Sequence, residues 1–150
     1  MFMNLVPIGI IHSPYRETKD APPQGRMKMD VFTIEIFEKY SAGLKDLEMV
    51  SHLIVLYWCD RAQRDLLQVT TPWDTKLHGV FATRSPHRPN PIAFNVVDLL
   101  ERKGNLLKVK GMDALDKSPV LDIKPYNSQI DVVLNAKGLG LFEKWRKENE

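Results

Sequence analysis

Short runs of β-branched and aromatic residues, cut apart by proline, glycine and aspartate, recur along most of this chain. Apolar segments this brief suit strands better than packed helices, which need ten residues or more to bury a face. LVPIGII (5–11) stops at HSPY, and VFTIEIF (31–37) alternates β-branched and aromatic residues with polar ones before the turn-like KYSAG. HLIVLYWC (52–59) is almost continuously apolar, which predicts a strand buried on both faces. KLHGVFAT (76–83) reads as a further strand after the breaker TTPW, and PVLDI (119–123) as a short one. IAFNVVDLLE and NLLKVKGM flank Arg102, Lys103 and Gly104, the pattern of a hairpin with glycine at its turn. Only LGLFEKWRK (139–147) reads as helix, with Leu141, Phe142 and Trp145 on one side. The predicted fold is mainly β: a small closed or nearly closed, mostly antiparallel β-barrel with a short C-terminal helix.

With 150 residues, 43% of them hydrophobic, the chain has the size of one domain, and residues 1–150 are expected to form a single one. No internal repeat or dividing linker interrupts it. The net charge of +2 hides an uneven spread of cations, from Arg61 and Arg64 through Arg84 and Arg88 to Lys117 and Lys124, compatible with a phosphate-bearing partner. The lone Cys59 excludes an internal disulfide and, inside an apolar run, reads as a buried, inert thiol. No stretch is apolar for long enough to span a membrane as a helix, and the N-terminus lacks signal-peptide features, so a cytoplasmic protein is expected. His12, His52, His78 and His87 are scattered without metal-ligand spacing, and no metal is expected. G-x-S-x-G, Walker and G-x-G-x-x-G motifs are missing, so any nucleotide-like ligand must be held by loops on a β scaffold.

One such loop is RSPHRPNP (84–91). Its three prolines fix their own φ and push Ser85, Arg88 and Asn90 toward extended backbone. A stiff connection carrying two arginines and a histidine has the makings of a preorganised carboxylate or anion site.

GVFATRSPHRPNPI (79–92), SPVLDIKPY (118–126), IGIIHSPY (8–15) with the PPQ of 22–24, and SHLIVLYW (51–58) together resemble the signatures of the TrmO family. These are S-adenosylmethionine-dependent tRNA methyltransferases with a β-barrel catalytic domain, and the likeness runs from about residue 5 to residue 131. The resemblance implies methyl transfer to the exocyclic N6 of N6-threonylcarbamoyladenosine beside the anticodon of tRNA (adenosine-37), by a homodimer with S-adenosyl-L-methionine as cofactor. It places the cofactor against Gln24, Gly25 and Arg26, Asp60 and Arg61, Arg84, Phe94, and Ala114, Leu115, Asp116 and Lys117. Arg84 is expected at a carboxylate or ribose edge and the backbone of 114–116 at the adenine edge. Core packing is the other reading of Phe94, and turn or cap duty that of Asp60 and Asp116.

Methyl transfer from a sulfonium needs alignment and exclusion of water more than covalent help. The urea-like acceptor nitrogen must still be polarised or deprotonated, for which His87, Asp122 and Tyr126 are the titratable candidates. Arg88, Asn90 and Lys124 are expected on the substrate side, Arg88 projecting from the loop toward the acceptor's carboxylate or phosphates. The chain departs from the family where NPIG becomes NPIAFN, with Ala93, and where DGTPV becomes DKSPV, with Lys117; lysine resists backbone shapes that glycine permits. It also ends soon after the expected barrel, without the C-terminal domain of longer relatives, so a second basic surface on a dimer is expected to assist tRNA docking. Two other functions fit the same residues: a same-fold methyltransferase of another RNA or small-molecule acceptor, and a non-catalytic barrel that binds RNA or a nucleotide.

Overall fold

A computed structural model describes residues 1–150. In chain order its elements are β1 (Gly9–His12), β2 (Val31–Ile36), β3 (His52–Trp58), β4 (Gln68–Val69), β5 (His78–Gly79), β6 (Ile92–Lys103), β7 (Leu106–Lys110), β8 (Pro119–Pro125), α1 (Ser128–Asp131) and α2 (Leu141–Asn149). The chain separates into two compact units, one of Met1–Asp60 with Ile92–Asn127, the other of Arg61–Pro91 with Ser128–Glu150.

The first unit is a closed barrel in the order β1-β2-β7-β6-β3-β8, as the alternating runs predict. Every pairing is antiparallel. The long β3–β6 ladder runs from His52↔Asp98 to Trp58↔Ile92. β8 closes the cylinder, pairing with β1 at Gly9↔Val120 and with β3 from Leu53↔Pro125, where the register slips between Leu56 and Tyr57. The expected β6–β7 hairpin turns through Gly104 at φ +59°. Because strand side chains alternate, one residue in two points inward: Phe32, Ile34 and Ile36 from β2, Leu53, Val55 and Tyr57 from β3, Leu107 and Val109 from β7. Each large apolar side chain so buried contributes about 1.5–3 kcal/mol.

In the second unit β4 and β5 make a two-residue ladder, Gln68↔Gly79 and Val69↔His78. Helix α2 lays Phe142 and Trp145 on Trp73, with ring centroids 4.9 and 5.0 Å away, which accounts for the apolar side read from the sequence.

Several local expectations need correction. β3 buries one face only, its other side chains being half-buried, because a small barrel has one interior; Cys59, just beyond it, is half-buried too. KLHGVFAT does not continue as a strand: after His78–Gly79 the backbone tightens into a 3-10 turn, Val80–Ala82, and the carbonyls of Val80 and Thr83 accept hydrogen bonds from Arg88 instead of a ladder partner. KYSAG lies in a 3-10 helix, Glu38–Leu44, and α1 is a short helix that the sequence does not announce.

Gly9 shows how tightly the barrel closes. A Cβ placed there would lie 2.2 Å from the Glu35 carbonyl oxygen on β2, whereas one at Gly79 meets nothing within 4 Å. Gly9→Ala is expected to destabilise the protein by about 1–3 kcal/mol, as overpacked sites do, and Gly79→Ala by less than about 0.5 kcal/mol. Urea unfolding of the two variants checks the contrast.

Candidate functional site

The segment joining β7 to β8 runs through Met112, Asp113, Ala114, Leu115, Asp116 and Lys117, and its backbone is held from outside the ladder. Asp113 N–H donates to Asn95 Oδ1 (3.3 Å), and Tyr57 OH donates to the Asp113 carboxylate. Ser13 Oγ donates to Ala114 O (2.6 Å), Ser13 N–H donates to Asp116 Oδ1 (2.9 Å), and Asp116 N–H donates to Tyr15 O (2.7 Å). The Asp116 carboxylate thus ties this segment to the backbone that follows β1. Lys117 N–H reaches Ile11 O (2.8 Å), and Ser118 donates through both N–H and Oγ to Leu115 O (3.2 and 2.7 Å). Neither Ala114 nor Leu115 gives its amide to a main-chain carbonyl. Lys117 adopts φ +69°, the left-handed conformation for which glycine is the usual choice.

Gln24 precedes a 3-10 turn, Gly25–Met27, that abuts the start of this segment. A Cβ on Gly25 would sit 2.3 Å from Gly111 O, so only glycine permits the approach. The next residue, Arg26, is turned to β6, its Nη1 donating to Val96 O (3.2 Å) and to Asp98 (2.8 Å), which also faces His52 Nε2 at 3.2 Å. The barrel thus sets Gly25 against Gly111 and Met112, where the β7–β8 segment begins. Phe94 on β6 is 45% exposed, so it is not a core residue. Asp60 is exposed at the unit's edge.

Asp122 accepts Ile123 N–H (2.9 Å) and faces Lys124 Nζ at 2.9 Å. It also lines a cavity of about 400 Å³ with Tyr40, Lys39, Leu44, Leu47 and Ile123. Tyr126 is half-buried beyond β8, its N–H donating to His52 O (3.0 Å).

In the second unit, the stiffness of RSPHRPNP has a cause beyond its prolines. Arg88 Nη1 donates to Thr83 O (3.0 Å) and Ser85 O (2.9 Å), and Nη2 to Val80 O (3.0 Å). Thr83 Oγ1 and Ser85 Oγ accept the amides of Ser85 and His87 (both 3.2 Å), winding the loop around that guanidinium. This corrects the expectation that Arg88 projects toward an acceptor: the three carbonyls of its own loop are nearer partners. Arg84, by contrast, is exposed, as is Arg61. His87 Nδ1 accepts the Gln63 amide (3.0 Å), so the neutral ring carries its proton on Nε2 and can act there as a donor. Arg64, not singled out from the sequence, closes the loop by donating to Pro89 O (2.8 Å) and Asn90 Oδ1 (3.3 Å).

Two tyrosines supply the buried polar anchors. Burial, followed by the hydrogen bond to Asp30, raises the Tyr15 pKa; burial, followed by the Asp113 charge, raises that of Tyr57. The Tyr15 hydroxyl in turn lowers the pKa of Asp30, with Lys28 adding to the effect. Ser13 lies in the HSPY string, yet its partners Ala114 and Asp116 stand about a hundred residues away and no local pattern reveals them.

The profile of the tRNA-methyltransferase O N-terminal domain matches residues 10–132. A probable S-adenosyl-L-methionine-binding protein of Archaeoglobus fulgidus is 60% identical over 95% of the chain, which spans 39% of that relative's length. A second protein of the same organism, named an S-adenosyl-L-methionine-binding protein, is 52% identical over 91% of the chain and 98% of its own. The fold is similar to the crystal structure of TrmO from Pseudomonas aeruginosa, with TM-score 0.77 and 35% identity over 93% of this chain and 62% of that one.

Because the folded-state pKa of both tyrosines lies above the ordinary value of 10.0, their contribution to stability is full below pH 10 and is lost as pH rises beyond it. Asp30 behaves in the opposite sense, its contribution lost as pH falls through its lowered pKa. Tyr15→Phe is expected to return the Asp30 carboxyl toward its ordinary value and to remove one slowly ionising phenol. Carboxyl NMR titration and absorbance at alkaline pH report the two effects separately.

Proposed function

The chain belongs to the TrmO family, carrying its N-terminal domain over residues 10–132, and from that membership we propose that it is an S-adenosylmethionine-dependent methyltransferase of tRNA. The proposed acceptor is the exocyclic N6 of N6-threonylcarbamoyladenosine at adenosine-37, in the cytoplasm. The observation that carries this reading is the 113–117 segment, a backbone edge fixed by side chains from three strands and their flanks, with the Ala114 and Leu115 amides not given to main-chain carbonyls. A flat adenine with its own donors and acceptors suits such an edge. Gly25, pressed on Gly111, and exposed Phe94 offer further apolar and backbone contact within the same unit.

The donor set fits the cofactor. Its sulfonium supplies an electrophilic methyl group when bound. In the barrel unit, the backbone of 114–117 with Gln24, Gly25 and Arg26 is the proposed contact for the nucleoside part; Arg84, by its residue type, is a proposed partner for a carboxylate. Asp60 and Arg61 are proposed contacts at its periphery. His87, whose Nε2 carries the proton, and Tyr126 are each candidates to polarise the acceptor's carbonyl oxygen by donating a hydrogen bond, and the Asp122 carboxylate is the candidate to receive the proton that the attacking nitrogen releases. Asn90 and Lys124 bind the acceptor strand. Arg88 serves by shaping the loop that presents Arg84 and His87.

A homodimer is part of the proposal. Ile130, Val133 and Leu134 are 74, 72 and 80% exposed, an apolar run that a second copy would cover. No helix is long and apolar enough to cross a membrane.

Incubation with methyl-labelled S-adenosylmethionine and tRNA is expected to label threonylcarbamoylated tRNA and not its unmodified counterpart. Equal labelling of both overturns the acceptor, and no calorimetric binding of S-adenosylmethionine overturns the enzyme. Arg84→Ala is expected to weaken cofactor binding by about 1–3 kcal/mol, whereas Arg88→Ala lowers the thermal midpoint as the loop loses its centre.

A further inference from the structure

Two polar side chains stand where the barrel's interior would otherwise be apolar. Tyr57 ends the inward row Leu53, Val55, Tyr57 of β3, and Asn95 begins the inward row that continues to Val97 on β6. They are 4% and 5% exposed, at the depth of core residues. Burying a hydroxyl and an amide carries a penalty unless both are hydrogen-bonded, and Phe and Leu would fill the space without it. Both groups are bonded, and they converge on one residue: Tyr57 OH on the Asp113 carboxylate, Asn95 Oδ1 on the Asp113 amide at 3.3 Å. Asn95 Nδ2 is held by Phe94 O at 3.0 Å, which fixes the orientation of its amide. The register slip between β3 and β8 falls beside Tyr57, where the pairing jumps from Leu56↔Asp122 to Tyr57↔Val120.

Resting on the methyltransferase reading above, we propose that Tyr57 and Asn95 are positioning residues: they clamp Asp113, and so set the shape of the 113–117 backbone that receives the cofactor's adenosine moiety. The other end of the segment has separate anchors, Ser13, Tyr15 and Ile11. Releasing the Asp113 end therefore loosens the segment without unfolding it. Burial raises the pKa of the Tyr57 phenol, which at neutral pH is therefore protonated and a donor.

Tyr57→Phe keeps the ring in the core and removes the hydroxyl, which bonds the Asp113 carboxylate and also meets Cys59. Val97→Ala serves as its control, since Val97 is fully buried on β6 and its side chain has no polar group with which to hold the segment. Calorimetry at a temperature where all forms are folded is expected to show that Tyr57→Phe raises the Kd for S-adenosylmethionine and for S-adenosylhomocysteine about tenfold. Val97→Ala is expected to leave both unchanged despite comparable or greater loss of stability. Native-state hydrogen exchange is expected to quicken at the amides of Asp113, Ala114 and Leu115 in Tyr57→Phe and not in β3 or β6. Unchanged affinity and exchange in Tyr57→Phe, or affinity losses that follow stability in both variants alike, would overturn the proposal. If the unaltered protein binds neither ligand, the methyltransferase reading falls with the adenosine role, and exchange alone decides whether Tyr57 clamps the segment.

Discussion

The 113–117 backbone has no ladder of its own, and what shape it has comes from hydrogen bonds that cross a hundred residues of sequence, from Ser13 to Ala114 and Asp116 and from Tyr15 to Asp116. A segment of this length, left to itself, would sample many conformations at a cost of about 1–2 kcal/mol of backbone entropy per residue to fix. The barrel has already met that cost during folding. A ligand arriving at the segment meets a surface that need not reorganise, which is the condition under which a few backbone contacts become affinity.

The second unit reaches the same end by other means. Its proline-rich loop is wound on a guanidinium, Arg88, whose planar fork satisfies three carbonyls, while Thr83 and Ser85 cap the successive turns. Lysine, with one compact ammonium, has no equivalent geometry. The prolines limit φ, and the arginine chooses among the conformations that remain.

The strands of the barrel were legible because alternation with period two is written in each of them, as in Phe32, Ile34 and Ile36, and because Gly104 marks its turn locally. The failures share a physical origin. HLIVLYWC looks doubly buried because hydropathy does not distinguish a face inside the barrel from an outer face that is only half-buried. KLHGVFAT has strand-like residues, yet its carbonyls bond to a side chain eight residues on. Near the candidate site, the motifs drew attention to 24–26 and 114–117, whereas the hydrogen bonds of Ser13, Tyr57 and Asn95, and those of Arg64 in the second unit, depend on partners that only the folded chain brings near. Lys117 is the instructive middle case. The substitution for glycine was evident in the string DKSPV, and the left-handed φ of +69° is what that substitution has to tolerate.

Closure of the cylinder by β8 bears on how the chain is made. With strands ordered β1-β2-β7-β6-β3, everything up to residue 118 can assemble only into an open sheet whose two margins, β1 and β3, present unpaired amides and carbonyls. β8 is one of the last strands that a ribosome delivers, and it seals both margins at once. At a synthesis rate of about 5–20 residues per second the open stage is brief, but it is the stage at which a neighbouring nascent chain can add itself to an edge. A pause in translation before β8 has emerged from the ribosome would therefore do more harm than one after it has emerged.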